Sequence, residues 1–360
     1  MVAKATRTVT GKERKMETYR VFISYSHNDL PEVRKIVEVL SENGLQPMWD
    51  ENFSFGFGFH EQIQTFITHA HVFMPYITEA SSLRGWVHQE IGYAMALNIP
   101  VLPVTRNMVP GEMLQRLHAV CLGETLDDIK ERLSWDVFDN LVNGYRETSD
   151  ALYKCAEQAD DRTLMMVEYA NNVLKLRTHG LVRQKGGLSS FHIPKKVVTD
   201  PVWKERYYPD MRSVFHCRNQ RKERIALEKH AKASGCRLII NTLIMAERTE
   251  RAQSVRLHTL LEFLESMPDD KVQIVINREL QPQESLTIVG DWFAAESVSG
   301  SVTQGFRQTI FTCHAPSMQS RIELFDQEFE ELLQRSGWTA ETSRLAAIEE
   351  VKETIEKLKS

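Results

Sequence analysis

The chain has 360 residues, of which 42% are hydrophobic and 26% are charged, and this composition is typical of soluble globular proteins. Its length suffices for two domains of ordinary size. The net charge of -5 argues against a protein whose main role is to wrap nucleic acid. No stretch approaches the roughly 18 apolar residues of a membrane span, so we expect no membrane partner and a cytoplasmic protein.

Cysteine usage and the N-terminal residues support the same compartment. The five cysteines are odd in number and include no CxxC pair, which favours free thiols over a disulfide framework or a zinc site. Residues 1–18 carry several cations but no apolar core. A secretory signal needs such a core, so this segment is predicted to be a mobile basic tail.

The first 104 residues alternate short apolar runs with helical patterns, which predicts parallel strands of an α/β sheet. The predicted strands are 20–26, 45–50, 71–77 and 100–104. The predicted helices are 31–43, 60–68 and one that begins at Ser81-Ser82 and contains Glu90. Between the second strand and the next helix, phenylalanines alternate with serine and glycine, a segment too rich in glycine to be a comfortable strand. These are Phe53, Phe55, Phe57 and Phe59.

Three motifs, in this order, resemble the Toll/interleukin-1 receptor (TIR) domain, particularly its bacterial branch that cleaves NAD. They are Val21-Phe-Ile-Ser-Tyr-Ser26, Trp49-Asp50 before the glycine-containing loop, and Ser82-Leu-Arg-Gly-Trp-Val-His-Gln-Glu90-Ile-Gly-Tyr-Ala94. The resemblance covers the N-terminal third of the chain. It implies a flavodoxin-like parallel sheet and places the TIR domain at residues 19–140.

The same resemblance makes Glu90 the catalytic residue. When the bond between nicotinamide and ribose breaks, the leaving group is already cationic and departs without a proton. One carboxylate beside the developing oxocarbenium ion can therefore serve where ordinary glycosidases use two. Trp86 lies one helical turn before Glu90, so its indole can desolvate the carboxylate and stack on a flat ring. The alternative interpretation, which would apply to most helices with this spacing, is that Trp86 is a core residue and Glu90 a solvated one.

Ligands of open α/β sheets bind outside the carboxyl ends of the strands. We therefore predict that Ser24, Tyr25 and Ser26 contact ribose or phosphate, with capping of the next helix as the alternative. Trp49 and Phe57 complete the predicted substrate site. NAD+ is a substrate in this interpretation, so no cofactor is expected.

The phenylalanine loop is predicted to be an interface. In TIR domains the matching loop gates the site and contacts a neighbouring TIR domain, which implies self-association through Phe53, Phe55, Phe57 and Phe59. The alternative is that two of the four pack into the core. His69 and His71 flank one alanine, but no third ligand is evident, so no metal site is predicted.

The remaining sequence predicts a helical connector with a short hairpin over residues 150–205 and a second α/β domain over 206–336. Predicted strands in this domain are 236–243, 271–276, 285–289 and 306–313. The domain resembles the phospholipase D-like fold without its catalytic motif, since His230-Ala-Lys232 lacks the following aspartate. A sensing or regulatory role, with an unknown trigger, is expected.

Two features of the C-terminal part leave alternatives open. A basic cluster can meet nucleic acid or a phosphorylated ligand, but a solvated helix face is favoured, so nucleic-acid binding is not expected. Its members are Arg218, Arg221, Lys222, Arg224, Lys229, Lys232 and Arg237. A C-terminal helix over 340–360 can pair with another copy or pack on its own domain, and packing is favoured because about two heptads is short for a coiled coil.

The sequence thus predicts an NAD+ glycohydrolase, with cyclisation of ADP-ribose as a further possible reaction, activated by oligomerisation and acting in defence against phage. The alternative is a non-catalytic TIR scaffold that recruits other TIR proteins.

Overall fold

The computed structural model describes residues 7–9, 12–14, 18–52, 59–82, 85–106, 119–123, 128–144, 153–187, 211–242, 250–280, 284–299 and 307–358. The chain divides into two compact units, Met1–Ala151 and Leu152–Ser360. Each unit has its own sheet.

The first unit is built on a five-stranded sheet in which every pairing is parallel. A short antiparallel pair, β1 (Arg7–Val9) and β2 (Lys12–Arg14), precedes it. The sheet strands are β3 (Arg20–Ser24), β4 (Gln46–Met48), β5 (Val72–Ile77), β6 (Val104–Arg106) and β7 (Val120–Leu122). Their order is β4-β3-β5-β6-β7, which is the flavodoxin-like order and confirms the predicted fold class.

The described part of this unit contains six α-helices. They are α1 (Leu30–Glu42), α2 (Phe59–His69), α3 (Glu79–Ser82), α4 (Gly85–Ala96), α5 (Ile129–Arg132) and α6 (Trp135–Gly144). Helix α1 shows why the sequence specifies them: Pro31 lies in its first turn, and its buried positions recur at three- and four-residue steps. It ends before Gly44, which has a φ of 81° that glycine adopts without strain.

Strand β3 lies at the centre of the core and is buried on both faces. Val21 and Ile23 belong to the cluster that also contains the apolar face of α1. Phe22 points the other way, toward Phe66 of α2 and Phe73 of β5. Burial on both sides explains why this strand is a continuous apolar run rather than an alternating one.

The prediction near the end of this sheet was incomplete. The strand expected at 100–104 is reduced to a single bridge between Val101 and Phe73, and β6 begins only at Val104. Pro100 and Pro103 have no N–H to donate, which limits the pairing around Val101. The fifth strand, β7, was not predicted, because its three residues are too few to show a period and Cys121 is exposed.

The second unit contains a seven-stranded mixed sheet in the order β11-β10-β9-β12-β13-β14-β8. Strands β9, β10 and β11 are parallel, whereas the other pairings are antiparallel. The strands are β8 (Tyr153–Ala156), β9 (Val182–Gly187), β10 (Cys236–Asn241), β11 (Val272–Ile276), β12 (Leu286–Val289), β13 (Phe293–Ser299) and β14 (Arg307–Thr312).

Among the described residues of the second unit, five α-helices cover this sheet. They are α7 (Ala159–Lys175), α8 (Met211–Ser234), α9 (Glu250–Ser266), α10 (Ala315–Ser336) and α11 (Ser343–Lys357). Leu238 and Ile240 of β10 face a core shared with α8, α9 and α11. Ile239, between them, faces a core shared with α10. Because successive strand residues point to opposite faces, α8 and α10 lie on opposite sides of the sheet.

The residues expected to form a connector with a hairpin instead contribute two strands to this sheet. Strand β8 is an edge strand, and β9 is a single strand between β10 and β12. Strand β9 resembles a polar hairpin in sequence because it contains Arg183, Lys185 and two glycines. Both cations are neutralised by carboxylates of α10, which the local sequence does not reveal.

The C-terminal helix α11 packs on its own unit. Its residues Ala347, Val351 and Ile355 are buried against α9 and β11. Of the two alternatives for this helix, the structure therefore has the intramolecular one.

Within the described ranges, no helix is long and apolar enough to cross a membrane. The same ranges contain no group of three or more His, Cys, Asp or Glu residues able to hold a metal ion. Four of the five cysteines are described, and all four are free thiols.

Candidate functional site

The centre of the candidate site is a buried hydrogen bond between a serine and a glutamate. Ser24 is the last residue of β3, and Glu90 lies on α4. The Ser24 Oγ donates to Glu90 Oε2 at 2.5 Å, and only 8% of Glu90 is exposed. A carboxylate this deep in the fold requires such a partner.

The position of Ser24 in the sheet is the one at which α/β proteins place ligands. Strand β3 has β4 on one side and β5 on the other, so the chain winds in opposite directions from this point. Ser24, the last residue of β3, pairs in register with Pro75 of β5. Glu90 therefore faces the crevice at the topological switch point of the sheet.

The electrostatics of Glu90 follow from its burial. Desolvation raises the pKa of the Glu90 carboxyl to about 7, and the hydrogen bond from Ser24 opposes this rise. Both the protonated and the ionised form are thus populated near neutral pH. A carboxyl group tuned in this way, in a crevice, is a candidate for function rather than for stability alone.

Beside this pair lies a cluster of aromatic and acidic side chains that follows β3 and β4. The Tyr25 hydroxyl donates to Asp50, and the Tyr25 ring centroid is 6.3 Å from that of Trp49. Burial, together with the Asp50 carboxylate, raises the pKa of Tyr25 well above its ordinary value. The Nδ1 atom of the exposed His27 lies 3.4 Å from Asp50 Oδ2. Tyr25 is therefore already engaged by Asp50, and its ring packs in the core.

Ser26 is fully buried, and its Oγ has no hydrogen-bond partner among the described residues. An unpaired buried hydroxyl is unfavourable. Of the three side-chain hydroxyls in the Ser24-Tyr25-Ser26 segment, only that of Ser26 has no partner among the described residues.

A second polar cluster, at the carboxyl ends of β5 and β6, was missed by the sequence reasoning. The Tyr76 hydroxyl donates to Glu32 Oε2 at 2.5 Å, and Glu32 also pairs with Arg106. Thr78 Oγ1 donates to Asp29 at 2.9 Å. Burial, and then the charge of Asp29, raises the pKa of Tyr76 to about 12. The available signal was the position of polar residues directly after buried strands, on the edge that carries Ser24.

The structure brings together Ser24 with Glu90 and Tyr25 with Trp49. Trp86 lies on α4 one turn before Glu90, but its side chain is outside the described residues. The same holds for the phenylalanine loop: Phe53, Phe55 and Phe57 are not described, and Phe59 is described only as the first residue of α2.

The two histidines considered as metal ligands have structural roles. His71 Nδ1 accepts a hydrogen bond from the Arg20 backbone N–H at 3.0 Å, and His69 Nδ1 lies 2.9 Å from the Thr65 carbonyl. Both are buried.

Comparison with known proteins agrees with this geometry. Residues 21–134 match the family model described as TIR domain. The N-terminal unit contains a TIR domain. The matched segment spans β3 to α5, and thus includes all the strands of the five-stranded sheet and Ser24, Trp49, Trp86 and Glu90.

Other comparisons add little to this TIR assignment. No match is found among curated proteins. One solved structure with which the chain aligns is that of TrmBL2, an archaeal chromatin protein with a novel mode of DNA binding. The identity is 9% and the TM-score 0.31, and the alignment covers 58% of this chain and 63% of that chain. A similarity this low carries no argument about fold or function.

In the second unit, the His230-Ala-Lys232 sequence does not form a site. His230 is fully buried: its Nδ1 accepts from the Gly180 N–H at 3.2 Å, and its Nε2 donates to the Ala170 carbonyl at 3.0 Å. Desolvation lowers the pKa of His230, so the ring stays neutral. Lys232 is exposed and lies 3.8 Å from Glu228. The histidine, on α8, thus links α7 to Gly180, two residues before β9.

Proposed function

We propose that the TIR domain cleaves the bond between nicotinamide and ribose in NAD+, with Glu90 as the catalytic carboxylate. The observation that carries this proposal is the buried position of Glu90 at the switch point of the sheet, hydrogen-bonded to Ser24. The resemblance to NAD-cleaving TIR domains supplies the reaction class.

The chemistry needs a negative charge more than a proton donor. Nicotinamide leaves as a neutral molecule once the glycosidic bond breaks, and positive charge develops on the ribose. An ionised Glu90 stabilises that charge, and its low-dielectric surroundings strengthen the interaction. Water then attacks the ribose to give ADP-ribose, or an adenine nitrogen attacks it to give a cyclic product.

Ser24 sets the state of the carboxylate. Its hydrogen bond favours the ionised form of Glu90 against the cost of burial. NAD+ cleavage should therefore increase as pH rises through about 7. Ser26, with its unpaired hydroxyl, is the better placed of the two serines for contact with ribose or phosphate.

Assembly of several chains is part of this proposal, because the Phe53–Phe59 loop is predicted to contact a neighbouring TIR domain. The second unit then senses a trigger. NAD+ loss in a cell infected by phage is the proposed biological outcome.

The test is NAD+ consumption by the purified full-length protein at high concentration, followed by separation of the products. Glu90→Gln should abolish NAD+ loss while leaving the size of the assembly unchanged. Glu38→Gln is the matched control, because Glu38 is an exposed glutamate on α1. Equal activity of Glu90→Gln and wild type would exclude Glu90 as the catalytic group.

A non-catalytic TIR scaffold is the second candidate, since the TIR match itself does not require catalysis. It predicts no NAD+ loss even when the TIR domain is immobilised at high density on a multivalent support.

A further inference from the structure

The outward face of α8 carries a basic stripe. Its members recur at three- and four-residue steps, so they lie on one side of the helix. They are Arg218, Lys222, Ile225, Lys229 and Lys232, all exposed. Ile225, in the middle of the stripe, is 46% exposed.

Within the described part of the chain, the charges of this basic stripe are largely uncompensated. Among the described residues, Arg218, Lys222 and Lys229 have neither an ion-pair nor a hydrogen-bond partner. Lys232 approaches Glu228, but Glu228 is already hydrogen-bonded to Arg224. By contrast, Arg224 and Arg237 of the predicted basic cluster are neutralised within the unit. The cations of the stripe, together with the exposed Arg221 beside them, are therefore what remains of that cluster.

The outward face of α10 carries the complementary feature, an acidic stripe formed by Glu323, Leu324, Gln327, Glu330 and Glu331, of which Glu330 lies 3.4 Å from Arg237. Leu324 is 65% exposed, more than any other large hydrophobic residue in the described part of the chain. Glu323 and Glu331 accept hydrogen bonds from the neutral amides of Gln319 and Gln327, so these two carboxylates keep their charge. One cation, Arg335, lies a turn beyond Glu331.

Each stripe thus presents an exposed aliphatic side chain among charges of one sign, and the signs are opposite. A single exposed leucine or isoleucine is ordinary on a protein surface. Here both are placed where they can be buried together while the surrounding charges are satisfied. Aliphatic burial would supply stability, and the charges would select the partner.

The two stripes cannot meet within one chain. Helices α8 and α10 pack on opposite faces of the same sheet, since Ala231 of α8 belongs to one core and Phe325 of α10 to the other. Their outward faces therefore point away from each other. Contact between unlike surfaces of two copies is heterologous. In such a pair, one copy keeps a free basic stripe and the other keeps a free acidic stripe.

We propose that the second unit assembles head to tail, with the basic stripe of α8 in one copy docking on the acidic stripe of α10 in the next. The assembly grows as an open chain or closes as a ring. This inference does not depend on NAD+ cleavage, and it involves residues far along the chain from the phenylalanine loop.

Exposed ion pairs are individually weak and are screened by salt. The molar mass of the purified full-length protein in sedimentation velocity should therefore rise with protein concentration and fall as salt is added. A mass that is independent of both concentration and salt would contradict the proposal.

Charge reversal gives the decisive experiment. Lys222→Glu with Lys229→Glu reverses the basic stripe, and Glu323→Lys with Glu331→Lys reverses the acidic stripe. Each variant alone should lose the salt-sensitive higher-mass species. In an equimolar mixture the native basic stripe of one variant meets the native acidic stripe of the other, and the two reversed stripes are also complementary, so the mixture should regain growth. All four substitutions in one chain should restore growth. Circular dichroism of each variant checks that the unit remains folded.

The competing use of the basic stripe is binding of nucleic acid, and the same variants distinguish it. If the stripe binds nucleic acid, a single-stranded oligonucleotide should bind the wild type but not the variant with Lys222→Glu and Lys229→Glu. This binding should depend steeply on salt. In that case reversal of the acidic stripe leaves the mass of the protein unchanged, and the mixture has no higher mass than its components. That outcome would overturn head-to-tail docking.

Discussion

Ser24 and Glu90 are 66 residues apart in sequence, yet the Ser24 hydroxyl donates a 2.5 Å hydrogen bond to the Glu90 carboxylate inside the TIR domain. This bond lowers the pKa of Glu90 against the effect of burial. Ser24→Ala removes it and leaves Glu90 equally buried. Since a hydrogen bond to a charged group contributes about 1.5–3 kcal/mol, the pKa of Glu90 should rise by about one unit or more.

The pH profile of NAD+ cleavage should shift upward accordingly in Ser24→Ala, with most of the activity regained at alkaline pH. Ser24→Thr, which keeps the hydroxyl, is the control and should retain the wild-type profile. A carboxyl-carbon NMR titration of Glu90 reads the same shift without relying on activity. An unshifted titration would show that Ser24 does not control the ionisation of Glu90.

The raised pKa of Glu90 also predicts how stability depends on pH. An unfolded glutamate has a pKa of about 4.3, whereas the folded value is about 7. Between these values the folded state binds more protons, so stability falls as pH rises through this window and is lowest above it. At about 1.4 kcal/mol per pKa unit, the cost to the TIR domain is about 4 kcal/mol.

Glu90→Gln removes this cost. The melting temperature of the variant should match that of the wild type near pH 4 and exceed it by several degrees at pH 8. Glu38→Gln should show no such divergence. If the difference in melting temperature between Glu90→Gln and wild type did not change with pH, ionisation of Glu90 would not be the cause of the pH dependence of stability.

His230 predicts the opposite trend for the second unit. Its folded pKa is lowered by burial, so below about 6.5 the unfolded chain binds a proton that the folded chain excludes. The contribution of neutral His230 to the stability of the second unit should therefore be fully present at pH 7.5 and decrease as pH falls below that value. Protonation would also remove the acceptor at Nδ1 that binds the Gly180 N–H.

His230→Gln keeps a donor but has no proton to gain in this range. The variant should be less stable than wild type at pH 7.5 and should lose less on acidification. Urea unfolding at pH 7.5 and 5.5, followed by circular dichroism, measures both effects. If wild type and His230→Gln lost the same amount of stability between pH 7.5 and 5.5, groups other than His230 would be responsible for the acid sensitivity.

Gly180 is predicted to tolerate no side chain. A Cβ atom at this position would lie 2.4 Å from the backbone nitrogen of Gly290 and 2.8 Å from its Cα. Backbone cannot rotate away as a side chain can, so Gly180→Ala should destabilise the second unit by about 1–3 kcal/mol.

Gly92→Ala is the comparison for Gly180→Ala. No atom lies within 4 Å of a Cβ at Gly92, which is in the interior of α4. Alanine favours the helix by up to about 1 kcal/mol there. Thermal unfolding of both variants should give shifts of opposite sign, and a neutral Gly180→Ala would contradict the close approach of the two backbones.

The sequence predicted those parts of the fold whose signal is local. The apolar run of β3 and the periodic face of α1 need only their own residues to be recognised. Strand β9 could not be found in this way, because Arg183 and Lys185 are compatible with a central strand only through carboxylates 143 residues away. The Ser24–Glu90 bond is of the same kind. Its two residues were each predicted to belong to the site, but their contact depends on where α4 lies against β3.

The ion pairs between β9 and α10 also fix the longitudinal position of that helix. Phe325 and Phe329 are identical residues one turn apart, so apolar packing alone would tolerate a slide of α10 by one turn, about 5.4 Å. In either direction, such a slide replaces Glu328 opposite Lys185 by a leucine, Leu324 or Leu332. It also removes Asp326 from the bidentate grip of Arg183. The charges of β9 thus disfavour structures in which α10 is shifted by one turn, which apolar packing alone would not distinguish from the native one.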